Sequence, residues 1–145
     1  MPITYTNEFK TFLDLVRGLL QTEFPTVTIL LGDEKLSTVK PTIVMEPELK
    51  RVNSEVTTQK KDLRYVVLFL VYLFDANQEN AMIRLTDQME HLEQLLENNK
   101  KYPTDSGNSW HNSEVEAAEY GQIERQGQFF RVARLRWTAV SRRAL

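Results

Sequence analysis

A chain of 145 residues with 41% hydrophobic and 26% charged side chains has the size and make-up of one globular domain, 1–145, able to bury a core without metals or cross-links. It holds no cysteine, which excludes a disulfide scaffold, a thiolate metal site and a cysteine nucleophile together. The net charge of −2 gives no global reason to bind nucleic acid, yet residues 125–145 carry six arginines and no acid, leaving −8 on the rest. No basic flank precedes an apolar stretch at the N-terminus, so no signal peptide is expected. The longest apolar run, Tyr65–Phe74, is too short for a helix crossing a bilayer, which needs about 20 residues; a soluble protein is expected.

In chain order, a first helix is expected to start at Thr6 or Asn7, both good N-caps. Phe9, Phe12, Leu13, Val16, Leu19 and Leu20 follow at the spacing that builds one apolar stripe, and Pro25 ends the helix soon after Thr22. Val27, Ile29 and Leu31 form a strand stopping at Gly32-Asp33. Thr42–Glu46, set between Pro41 and Pro47, reads as a second short strand, and Leu49–Thr58 as a third. After the polar break Lys60-Lys61-Asp62, Leu63–Phe74 is rich in β-branched and aromatic residues with both faces apolar, so it reads as a strand buried on both sides.

A second helix follows. Asp75 and Gln78 have capping-box spacing. Met82, Leu85, Met89, Leu92 and Leu96 make a narrow apolar stripe ending near Asn98–Lys101, while Glu79, Asp87, Glu90, Glu93 and Glu97 make the outer face acidic. A polar loop, Tyr102–Asn112, leads into a closing hairpin, Glu114–Glu124 and Gln128–Ser141, turning at Gln126-Gly127. The expected fold is α+β in the order α-β-β-β-β-α-β-β, a mainly antiparallel sheet of about five to six strands with two helices packed on it.

Signals for chemistry are sparse. There is no phosphate loop or glycine-rich nucleotide fingerprint. His91 and His111 read as solvated. Asp33 with Glu48-Leu49-Lys50 has the residue types for a metal-dependent nuclease. Glu114 and Glu116 share a strand face, opposite Glu119, and a solvated acidic surface is the simpler reading. No cofactor is expected.

The last strand is more informative. Arg134 and Arg136 share a face with Phe130 and Val132; Arg131 lies with Phe129, Ala133, Leu135 and Trp137. Arginines interleaved with aromatic and apolar residues suit a protein interface. Two other readings remain open: phosphate binding with Trp137, Phe129 and Phe130 as stacking partners, or a solvated sheet face covered by arginine stems. Trp110, in a polar loop, either plugs the core or projects as a partner's anchor.

The opening helix Phe9–Leu20, the strand Tyr65–Phe74 running into Asp75-Ala76-Asn77, the helix Met82–Leu96 and the closing run Phe129–Trp137 together resemble the neck and tail-completion proteins of tailed bacteriophages, most closely the tail terminators. The resemblance covers essentially the whole chain and lies in element order, length and texture. It implies a virion protein, assembled in the host bacterial cytoplasm, without catalytic residues or cofactor. It implies a hexameric ring that caps the tail tube protein and joins the head-tail connector or stopper, with DNA passing through its lumen. In such a ring one patch meets a different patch on the neighbour. Glu90, Glu93 and Glu97 are expected to face Arg131, Arg134 or Arg136 of the next subunit, with these arginines away from the lumen. The alternatives are another neck component (an adaptor or stopper), the nuclease, or a ligand-binding α+β domain that dimerises through the apolar strand.

Overall fold

The computed structural model describes residues 7–32, 36, 39–57, 60–102, 110–125 and 127–144. They form α1 (Glu8–Glu23), β1 (Thr28–Leu30), β2 (Thr42–Thr57), β3 (Lys60–Leu73), α2 (Gln78–Asn98), β4 (Trp110–Arg125) and β5 (Gln128–Ala144). The class is α+β, with one five-stranded sheet in the order β1-β2-β3-β5-β4. All pairings are antiparallel except β1 with β2, which is parallel.

One strand fewer forms than expected before α2. Thr42–Glu46 and Leu49–Thr58 are a single strand, β2, which runs through Pro47. β1 covers only Thr42–Val44 of its outer side, so Pro47 sits on an edge where a missing N–H breaks no ladder. The register shifts between Pro47 and Leu49, which makes Glu48 an extra, bulged residue. Lys60 and Lys61 belong to β3 itself. β4 likewise starts earlier than expected, at Trp110.

Local chemistry sets the helix ends. The Asn7 side chain accepts from the Lys10 N–H at 3.0 Å and caps α1. α2 is capped by Asn77, which accepts from the Asn80 N–H at 3.1 Å, in place of the expected Asp75. Asp75 instead accepts from the Asn77 N–H at 2.9 Å. That bond holds its carboxyl below the ordinary value, and Arg84 beside it acts in the same direction. α2 ends at Asn98, so Lys100 and Lys101 lie just beyond its last turn.

Both helices pack on one face of the sheet. Phe12, Leu13, Val16, Leu19 and Leu20 of α1 and Ala81, Leu85, Met89, Leu92 and Leu96 of α2 are buried against alternate strand residues, among them Leu63, Tyr65, Val67, Phe69 and Val71 of β3 and Ala133, Leu135 and Trp137 of β5. The α2 stripe therefore begins at Ala81, and Met82, expected inside, is 53% exposed. An aromatic column forms the centre. Phe12 stacks on Tyr65 (4.3 Å between centroids) and Trp137 (5.8 Å), and Trp110 meets Trp137 edge-on at 5.3 Å. Each such side chain contributes roughly 1.5–3 kcal/mol through burial alone.

Candidate interaction surface

Among the described residues no helix covers the opposite sheet face. Period-two alternation puts Tyr72, Leu70, Leu68 and Val66 of β3 there, and register places Val132, Arg134, Arg136 and Thr138 of β5 directly beside them. The dual burial expected for Leu63–Phe74 is thus only partial. Its core-side residues are fully buried, whereas Leu68, Leu70 and Phe74 are half-buried. Towards the β3 C-terminus this face is apolar: Leu36, Val44, Tyr72 and Phe130 are buried, with Leu30, Leu70, Phe74, Ile123 and Val132 packed around them.

Next to that patch lies an ionic lattice built on two bulges. Arg136 donates through Nε to Glu48 at 2.8 Å and through a terminal nitrogen to Glu116 at 2.6 Å. Glu48 is the bulged residue of β2, and Glu116 occupies the second register shift of β4, between Val115 and Ala117. The two carboxylates converge from opposite sides. Hydrogen bonding to Glu48, followed by the charge of Glu116, raises the Arg136 pKa further above its already high ordinary value. Arg134 reaches Glu119 at 3.5 Å. The β4 bulge turns Glu116 onto the same face as Glu119, which strict alternation does not anticipate.

The residues singled out in the sequence therefore separate. Arg134 and Arg136 meet acids of their own chain, on the far side of the sheet from α2. Arg131 alone lies on the α2 side, where it donates to the Gln78 side chain at 3.2 Å. Glu90 and Glu97 are exposed and Glu93 is half-buried. Burial, reinforced by the charges of Glu90 and Glu97, pushes the Glu93 carboxyl above its ordinary value. Trp110 takes the inward alternative: it is fully buried and its indole N–H donates to the Asn99 carbonyl at 2.8 Å. Trp137 and Phe130 are buried as well, so of the three aromatics considered for base stacking only Phe129, 55% exposed, is accessible.

The residues considered for catalysis do not converge. Asp33 lies outside the described residues. Lys50 stands opposite Tyr65, on the helix-covered side of the sheet, while Glu48 is engaged by Arg136 on the other. Among the described residues no three His, Asp or Glu side chains are placed to hold a metal ion. His91 is exposed, but His111 is half-buried, 3.9 Å from Asp62, and not the solvated group expected.

Sequence signalled the arginine face through its alternation. It gave no sign of the acids that clamp it, because Glu48 and Arg136 are 88 positions apart and meet only through the sheet order. No helix among the described residues is long and apolar enough to cross a membrane. A scan against protein-family models finds no match to this chain, and a search of curated proteins finds none either.

Proposed function

We propose that this chain is a structural assembly protein of a tailed-phage neck or tail, acting as a tail terminator: a ring, hexameric by the resemblance, at the top of the tail tube that ends tube growth and joins the head connector. It would be a virion component assembled in the host cytoplasm, with DNA passing through its lumen. What supports the reading is the helix-free sheet face. A layer of half-buried apolar residues beside a fixed lattice of arginine and glutamate is suited to seating another protein surface, since it combines apolar area with directional charge. The element order, helix, strands, helix and closing hairpin, agrees with the same resemblance.

Solution mass and negative-stain imaging of the purified protein test the proposal directly. The expected result is a ring of about six copies. Added to polymerising tail tube protein, it should shorten the tubes. Rings that leave tube length unchanged would point to an adaptor or stopper. A protein that stays monomeric at high concentration, or cleaves DNA in the presence of Mg²⁺, would overturn the proposal.

A further inference from the structure

On the helix-covered side of the sheet the seam between α2 and β4 stays open. Ala118, Tyr120 and Gln122 of β4, opposite Leu135, Ala133 and Arg131, point to that side and remain exposed. At one end of the seam lies a groove of about 210 Å³ lined by Met82, Leu85, Thr86, Tyr120, Gly121 and Arg131. Met82 (53% exposed) and Tyr120 (52%) keep its mouth apolar. It is smaller than cavities that enclose a small-molecule ligand, about 300 Å³ or more, and suits a single large side chain.

Past the groove the seam turns acidic. Met82, Thr86, Glu90, Glu93 and Glu97 share one face of α2, a stripe about 22 Å long at about 1.5 Å per residue. Tyr120 ties the groove to the acids: burial, then the charges of Glu90 and Glu93, push its hydroxyl above the ordinary value. Glu97 borders the next hollow along the seam, with Glu114 and Val115 of β4. None of Glu90, Glu93 and Glu97 has an ion-pair partner among the described residues, although Lys100 shares that hollow. Arg134 and Arg136, expected from the sequence to meet these acids on a second copy, are held by Glu119, Glu48 and Glu116. The cations that would balance the stripe must therefore come from elsewhere. Nucleic acid and anionic membranes are repelled by the same charges.

We propose that this seam binds a short segment of another protein, one that carries a large apolar side chain for the groove and lysines or arginines for Glu90, Glu93 and Glu97. An extended segment of about seven residues spans the stripe at about 3.3 Å per residue, with alternate side chains facing it. The apolar anchor supplies buried area, and the acids fix the orientation. Arg131, the cation that lines the groove, is held by Gln78, so the occupant's own cations belong at the opposite end. The site is separate from the helix-free face and does not depend on ring formation.

Fluorescence anisotropy with a labelled peptide, acetyl-Phe-Ser-Lys-Ser-Lys-Ser-Lys-amide, tests the site. The wild-type protein should bind it at about 0.05 M salt and release it as salt approaches about 1 M. Two variants outside the core, checked for folding by circular dichroism, separate the ends of the seam. The triple variant Glu90→Gln, Glu93→Gln, Glu97→Gln and the single variant Met82→Ser should each weaken binding roughly tenfold. A peptide with serine in place of phenylalanine should lose about as much on the wild type. Full binding of that peptide, or an unaffected Met82→Ser protein, would mean attraction to an acidic surface alone and overturns the proposal. Absence of wild-type binding also overturns it. If the triple variant abolishes self-association seen by sedimentation, the seam is occupied by a second copy; the proposal then falls and the assembly reading stands. A monomer that binds the peptide upholds the seam and removes the ring.

Discussion

The two faces of the sheet are built from alternate residues of the same strands, yet they have opposite characters. On β5, Ala133, Leu135 and Trp137 enter a dry aromatic core, while Arg134 and Arg136, one residue away in each case, are clamped by carboxylates at the surface. The covered face is where stability resides, because it removes large apolar area from water and fills the space at close-packed density. The other face loses less area to folding and keeps its half-buried residues and charges in fixed positions. One strand can thus serve folding with its odd residues and recognition with its even ones, provided that register is held. The two bulges do not disturb that register on β5; they feed Glu48 and Glu116 onto Arg136 from either side.

Substitutions on the two faces should separate these roles. The largest effect is expected for Trp137→Ala, which empties the centre of the aromatic column. A loss of roughly 3–5 kcal/mol in urea-unfolding free energy is the size such core truncations produce. A loss below about 1 kcal/mol would mean that the covered face does not carry the fold. Trp110→Phe keeps an aromatic side chain but loses part of the indole's bulk and leaves the Asn99 carbonyl without its 2.8 Å donor, so about 1–3 kcal/mol should be lost in the same assay. Arg136→Met should cost less than either. It strips Glu48 and Glu116 of their shared cation at a solvent-washed site, so the deficit should shrink as salt approaches about 1 M. Assembly, measured by sedimentation, should suffer more than stability if that face seats a partner.

The smallest effect concerns Glu93. Burial and the neighbouring Glu90 and Glu97 raise its carboxyl above the ordinary 4.5, so the folded state holds the proton more tightly than the unfolded one. Stability should then fall as pH rises from about 4.5 through the raised value and stay lower above it. Glu93→Gln should therefore melt slightly higher than wild type at pH 7 and no higher at pH 4. An unchanged difference across that range would show that crowding on α2 has no energetic consequence.

Much of the covered face was legible in the sequence because it obeys simple periods. Phe12, Leu13, Val16, Leu19 and Leu20 are all buried as their spacing predicts, and Leu85, Met89, Leu92 and Leu96 fix α2. Met82 misleads because a helix stripe admits either of two adjacent residues at its end, and packing took the small Ala81. Pro47 suggests a strand end since proline removes a donor, but the loss is harmless on the outer side of β2. The free face was the harder part. Its arginines were visible by alternation, but Glu116 was assigned by a period that a bulge interrupts. The partners Glu48 and Arg136 required knowledge that β2, β3 and β5 lie side by side. Groups far apart in the chain converge only through topology, which local patterns do not encode.

The chain has two tryptophans, and both sit in the central column with ring centres 5.3 Å apart. Ultraviolet emission from this protein therefore comes from one dry spot, so the native spectrum should be blue-shifted and should move to the red as a single event when the core opens. Both indoles are fully buried, although Trp110 opens the outer strand β4, so joining and parting of subunits should change that glow far less than unfolding does. A label-free optical signal can thus follow unfolding in the presence of any assembly equilibrium.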